Sequence, residues 1–372
     1  PLTLSTYWMY KYANYPDGSY SSWDHIGNTG KIYAGEGFLM KGPGAPGTSD
    51  QNYVFEGKPN NGNINLTISA GYDYLIGNPY PSAIDAYQFI DDNPDITGPL
   101  YFWEHYGGDT HNLAGYQAGY ATLTKSGAVK AAAHPSLSNL GSATKIPERY
   151  IPVSQGFFVY SNTGGTIHFN NNQRIFVTES SGNSLFMKTA KSKSTKTTKT
   201  KESELDTRPK FRIGFNAPKI DHRQLLLTID KNTTDGVDWG YDGEIYEIFG
   251  DDMYWTIGDK KYVIQATNAI SDDKEIPLGI QLSESGKISI NVDTLENVDE
   301  NTQLYIKDKL TGETYNIKNK PFEMELEAGD YADRFVLTFQ QRVLSIDEVI
   351  LNDGINVAVD QQNSEIKVTK TV

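Results

Sequence analysis

The sequence predicts an all-β fold, and three observations carry that prediction. Tyr, Phe and Trp make up 12% of the 372 residues, and aromatic and β-branched side chains suit a pleated, half-buried surface. Turn formers are plentiful beside them, with 34 Gly and 16 Pro. Short apolar-alternating runs recur between these turn signals, with no sustained helical period.

Residues 1–187 read as one β-sandwich module, jelly-roll or immunoglobulin-like. Its expected strands are 6–12, 37–41, 52–57, 63–68, 72–77, 100–106, 156–160 and 166–169. In 63–68, Ile64, Leu66 and Ile68 share one face. Residues 82–90 predict a helical turn capped by Ser82, with Ile84 and Tyr87 on its apolar side. The module also carries an internal repeat. Tyr7-Trp8 followed by Glu36-Gly37-Phe38 is echoed by Phe102-Trp103 followed by Gln155-Gly156-Phe157. Two related halves fit a two-sheet sandwich.

Residues 188–208 read as a basic linker. Its opening run, KTAKSKSTKTTKTK, holds six Lys and seven Ser or Thr in fourteen residues. Such a run cannot bury enough surface to offset the entropy of ordering it. It reads as a solvated tether, or else as a basic patch that docks on acidic modules or anionic surface polymers. Residues 209–341 predict a second sandwich, with strands at 211–215, 223–229, 262–266, 276–282, 287–292, 303–308, 314–317, 322–326 and 334–340. Residues 342–372 look like the opening strands of a third β domain. The chain opens on Pro1 within strand-like sequence and without a signal peptide, which reads as a processed product or a fragment.

Charge and composition restrict the function. The net charge of -14 repels phosphate backbones, so nucleic acid is not an expected partner. No apolar run approaches the roughly 20 residues of a membrane-spanning helix. Cysteine is absent, which removes disulfides, thiolate metal sites and thiol nucleophiles without assigning a compartment.

Motifs for chemistry are sparse. Gly42-Pro43-Gly44-Ala45-Pro46-Gly47 satisfies a dinucleotide-binding pattern in letters, but two prolines and the lack of a following helix deny it that geometry. Residues 27–32 resemble a phosphate loop and lack its first Gly and the Ser or Thr after Lys31. His105, Asp109 and His111 are candidate ligands of one metal, or parts of a polar loop. Asp230, Asn232, Asp235, Asp238 and Asp242 form an acidic loop of oxygen donors suited to calcium. The other reading of that loop is a set of Asx turns, since its spacing is one residue off the EF-hand start. Trp23, Tyr15, Tyr20, Tyr106, Tyr116, Tyr120, Trp239 and Tyr254 lie in or near loops. Trp23, Trp239 and Tyr241 are the candidates for stacking on sugar rings, although aromatics also fill sandwich cores. No convergent acid, base and nucleophile set is present, so the chain reads as a non-enzyme.

Several strings together resemble a known family. Gly77-Asn78-Pro79-Tyr80-Pro81-Ser82 after Tyr74-Leu75-Ile76 is similar to the LIGNPYPS signature of large surface proteins of Bacteroidota. Residues 100–105, 150–159 and 169–174 follow in the same order. Residues 278–280, 304–308, 311–312 and 329–339 look like the β-sandwich that precedes a type IX sorting domain, and the tail from Val343 resembles the start of a type A sorting domain. The resemblance implies export by the type IX translocon, then display on the cell surface or release, among adhesin-like and gliding-associated proteins. It implies partners in the translocon and attachment machinery and offers no catalytic residue to transfer; surface polysaccharide is a further candidate partner. Within the signature, Pro79 and Pro81 fix φ and remove two amide donors, so 78–81 is expected to turn a rigid corner, with Tyr80–Pro81 a candidate cis bond. Gly156 and Phe157 belong to the same structural motif.

Overall fold

The computed structural model describes residues 6–12, 15–16, 23–41, 56–108, 112–134, 137–138, 141–179, 184–187, 206–339, 355–360 and 365–370. Almost all of its regular structure is β. In the first unit the strands are β1 (Tyr10–Lys11), β2 (Tyr15–Pro16), β3 (Asp24–His25), β4 (Ile64–Ile68), β5 (Tyr72–Gly77) and β6 (Ala83–Asp85). One helix, α1 (Ala86–Asp91), follows. Then come β7 (Leu100–Gly107), β8 (Gln117–Thr124), β9 (Gly127–Val129), β10 (Tyr150–Ile151), β11 (Gly156–Ser161), β12 (Gly165–Phe169) and β13 (Arg174–Ile175).

The main sheet of this unit has the order β2-β5-β11-β7-β8-β9, and smaller sheets β12-β4 and β10-β6-β13 complete it. Its core lies between them, where Ile68, Ile76, Ile84, Phe89, Phe157 and Phe169 are each almost fully buried. The opposite face of the main sheet is also covered. Tyr12, Leu75, Tyr101 and Phe158 form a second cluster there. Strand β5 is therefore covered on both faces, as a central strand is, with Asp73 as a buried polar group on one of them.

The two Gly-Phe segments of the internal repeat flank β5. Gly156 and Phe157 pair with Gly77 and Ile76 on one side. On the other, Glu36 bridges Ile76 and the Gly37 amide donates to the Leu75 carbonyl at 2.9 Å. A Cβ on Gly37 would stand 2.7 Å from the Ile76 carbonyl oxygen, so only glycine lets the chain lie this close. The leading halves of the repeat differ: Trp8 ends a 3-10 turn, whereas Trp103 lies in β7.

The helix also departs from expectation. Asp85, not Ser82, caps it, with its side chain accepting from the Tyr87 amide. Residues 83–85 are held extended between β10 and β13, so the helix starts only where that pairing ends. The Ser82 hydroxyl instead accepts from Arg174 Nε at 3.1 Å. The Tyr80–Pro81 bond is trans.

The second unit comprises β14 (Lys210–Ala217), β15 (Ile220–Ile229), β16 (Gly243–Glu244), β17 (Asp252–Ile257), β18 (Lys260–Thr267) and β19 (Glu275–Leu282). It continues with β20 (Gly286–Glu296), β21 (Tyr305–Asp308), β22 (Thr314–Asn316), β23 (Phe322–Leu326) and β24 (Gly329–Thr338). These strands join in one curled sheet, β22-β21-β24-β19-β17-β18-β15-β14-β20-β23, with β16 paired to β18. Two facing sheets were the sequence expectation. Register shifts in β14, β19 and β20 explain the difference, because a bulge bends a long strand and lets one ladder turn a corner. Trp255, Phe211, Phe215 and Phe335 fill the interior.

The hairpin β25 (Ile355–Asp360) and β26 (Glu365–Lys370) pairs antiparallel, Val357 opposite Val368. The expected strand 52–57 lies almost wholly outside the described residues, as do the glycine-rich 42–47 and the Lys-rich run 188–201.

Candidate functional site: the seam between the two β units

Trp239, Tyr241 and the Asp230 end of the acidic loop lie where the two units touch. The first unit contributes the β8–β9 turn, Thr124-Lys125-Ser126-Gly127. Gly127 adopts φ +133, and a Cβ there would press on Leu226 at 3.0 Å. The turn enters the second unit through backbone groups. Lys125 N donates to Gly240 O at 2.8 Å, and Lys125 O accepts from Arg208 at 2.9 Å. Thr228 Oγ1 donates to Ser126 O at 2.9 Å, Arg212 to Ala128 O at 2.6 Å, and Thr124 Oγ1 to Tyr241 O at 2.8 Å. These satisfy groups that end strands would otherwise leave unpaired.

The Lys125 side chain occupies the centre of the seam. Its ammonium pairs with Asp91 at 2.8 Å and lies over the rings of Tyr241 at 4.2 Å and Trp239 at 5.5 Å. Trp239 donates its indole N–H to Ile96 O at 2.9 Å. Both rings are thus engaged by the first unit. Trp23, the third sugar candidate, packs against Tyr12 at 5.3 Å and Phe158 at 6.1 Å.

A second patch of the seam is aromatic. Tyr246 stacks on Tyr101 at 4.3 Å and meets Tyr120 edge-on at 4.8 Å. Tyr101 donates to Glu244 O at 3.2 Å. Burial pushes the phenols of Tyr101, Tyr120 and Tyr246 far above their ordinary range, so all three stay neutral. Val129 and Ala132 of the first unit belong to the core of the second. The backbones approach closely at Gly98 and Gly240, where a Cβ on Gly98 would stand 2.7 Å from Gly240 N. His134 and Glu247 close the edge at 3.1 Å.

The acidic loop is folded on itself rather than around a common centre. Asp230 accepts from Arg208 at 2.7 Å and from the Asn232 amide at 2.9 Å. Asp235 is held by Thr267 at 2.6 Å and by the Lys274 ammonium. Asp238 accepts from Thr234 N at 2.6 Å, and Asp242 accepts from Asp238 N at 2.6 Å and Ala266 N at 2.8 Å. Each carboxylate is turned to its own donor, so the donor set does not converge on one cation. Among the described residues no group of three or more His, Asp or Glu is placed to hold a metal ion. Despite its two amide donors, burial pushes the Asp242 carboxyl up to about 7.

Other sequence candidates fall elsewhere. His105 stacks flat on Tyr116 at 4.2 Å, while Asp109 and His111 lie outside the described residues. Tyr254 is 1% exposed and belongs to the core, not to a surface loop. Tyr20 is outside the described residues, and so is the side chain of Tyr15. The signature residues sit at the far end of β5. Asn78 Nδ2 donates to the carbonyls of Ser82, Ile151 and Pro152 at 2.8, 3.2 and 3.1 Å, and its Oδ1 accepts from Tyr80 N at 3.0 Å. Tyr80 donates to Gly62 O at 2.6 Å. Arg208, Lys125, Arg212 and Tyr246 were not singled out from the sequence. The turn signal Lys125-Ser126-Gly127 after the β-prone Tyr120-Ala121-Thr122-Leu123-Thr124 was the cue available for the β8–β9 hairpin.

Residues 1–339 match a family described as Domain of unknown function (DUF8693), a span that includes both units and the seam. The chain belongs to that family. The DUF8693 match ends one residue after β24 closes at Thr338. Neither a curated protein nor a solved structure matches the chain.

Proposed function

We propose that this DUF8693 chain is a non-enzymatic segment of a cell-surface protein exported by the type IX system, acting in surface display and in adhesion or gliding. The observation that carries the reading is the seam. A display element must hold its neighbours at a fixed geometry, and the two units are joined by backbone hydrogen bonds, a half-buried lysine and stacked tyrosines. The resemblance of residues 74–82 and 329–339 to type IX cargo supports the export route. No helix among the described residues is long and apolar enough to cross a membrane. The charged groups of the acidic loop serve ion pairs and turns, which supports a structural rather than a catalytic use. A carbohydrate-binding role for Trp23, Trp239 and Tyr241 is the alternative. It is less favoured because Trp23 packs on Tyr12 and Phe158 and the Lys125 ammonium lies over Trp239 and Tyr241, although Trp239 remains 38% exposed.

The test is surface labelling. An epitope is placed at the turn around Leu310, which is 75% exposed, in the protein as its own cell expresses it. Access of antibody to intact cells, or tag in the medium, is expected with a working type IX translocon and lost when the translocon is deleted. Equal labelling in both strains would overturn the export reading.

A further inference from the structure

Among the described residues many aromatic side chains lie in the cores and seam, but in one cluster Tyr7 and His25 are exposed, with Trp8, Tyr10 and Lys41 half-buried beside them. Tyr7 is 65% exposed and meets Trp8 edge-on at 4.8 Å. The exposed imidazole of His25 lies 6.3 Å from Tyr7 and 5.0 Å from Tyr10. The Lys41 ammonium sits 3.7 Å over the Trp8 ring. The rings stand on a fixed base. Tyr10 exchanges two backbone hydrogen bonds with Leu39, Ile26 N donates to Met9 O, and Leu75 N donates to Tyr12 O, which ties the segment to β5.

We propose that Tyr7, Trp8, Tyr10, His25 and Lys41 form a binding platform for an acidic polysaccharide, one built of pyranose rings that carry carboxylates. A pyranose presents an apolar C–H face to a flat ring and its hydroxyls to the rim. The cation fixes the class of sugar. Lys41 forms no ion pair with a carboxylate among the described residues, so it offers a local cation for a uronate carboxylate, against the repulsion of a chain whose net charge is -14. The platform is preorganised by its backbone ladder, so little ordering is lost on binding. It is separate from Trp23, Trp239 and Tyr241 and does not depend on the export route.

The test measures binding of the whole chain to polygalacturonate and to a neutral β-glucan by isothermal titration calorimetry. Polygalacturonate is expected to bind more tightly than the neutral glucan, and to weaken as salt is raised. Tyr7→Ala is expected to weaken binding about tenfold, Tyr7→Phe to retain it, and Lys41→Gln to remove the preference for the acidic polymer. Tyr7 is a surface residue, so its variants are expected to keep the wild-type melting point. Absence of binding to either polymer, equal binding of both, or an unchanged affinity in Tyr7→Ala would overturn the proposal.

Discussion

Asp242 shows how one buried carboxyl sets a pH dependence. Its folded pKa of about 7 lies above the roughly 3.9 of an unfolded Asp. Folding therefore takes up a proton between about pH 4 and pH 7, and stability from this group falls as pH rises across that window. Glu104, raised by burial, acts in the same sense. Asp235 and Asp308 run the other way. The Lys274 ammonium and the Arg334 guanidinium hold them below the usual carboxylate range, so their stabilisation is present above that range and lost on acidification. Asp242→Asn is expected to flatten the decline in unfolding free energy between about pH 5 and pH 7, measured in urea. It is also expected to destabilise the chain by about 1–3 kcal/mol at low pH, since the amide leaves one backbone N–H without an acceptor. A pH slope identical to wild type would assign the titration to another group.

At the level of elements, strand β5 and its corner organise the first unit. Asn78 is 6% exposed and spends all its hydrogen-bonding capacity on the backbone of the corner and of residues 151–152. Asn78→Ala is expected to cost roughly 2–4 kcal/mol in chemical denaturation, because buried carbonyls lose their donors. Tyr80→Phe removes a single bond and is expected to cost about 1 kcal/mol. A cost for Asn78→Ala no larger than that of Tyr80→Phe would show that the corner is held by its prolines alone. Strands β4 and β23 were legible from alternation, and β5 and β11 from the turn residues that bound them. Strand β17 was not singled out. Its run Asp252–Ile257 is buried nearly throughout, and a run covered on both faces lacks the alternation that reveals a half-buried strand.

The whole molecule is expected to unfold as one body. The seam buries Tyr101, half-buries Lys125, Tyr120 and Tyr246, and places Val129 and Ala132 in the other unit's core. Calorimetry on the chain should show one main transition for the two units, with calorimetric and van't Hoff enthalpies equal. Gly240→Ala is expected to split that transition. Gly240 adopts φ +77, and a Cβ would stand 2.9 Å from both Ile90 and Lys125 side chains. Two resolved transitions in the wild type would mean that the seam is too weak to couple the units.

The sequence by itself determined the all-β class, most strand positions and the turn-forming character of the signature. These depend on local alternation, on proline and glycine, and on side-chain size, all of which act between near neighbours. The tertiary structure alone decided that the second unit closes as one curled sheet, that Asp85 caps the helix, and that Trp239 and Tyr241 enclose Lys125. It also decided that residues 206–208 of the expected linker are docked, Arg208 joining Asp230 to the Lys125 carbonyl. Contacts such as that of Arg208 with the Lys125 carbonyl link residues 83 positions apart in sequence. Their energy comes from groups that become neighbours only after both units have formed, so no local pattern announces them.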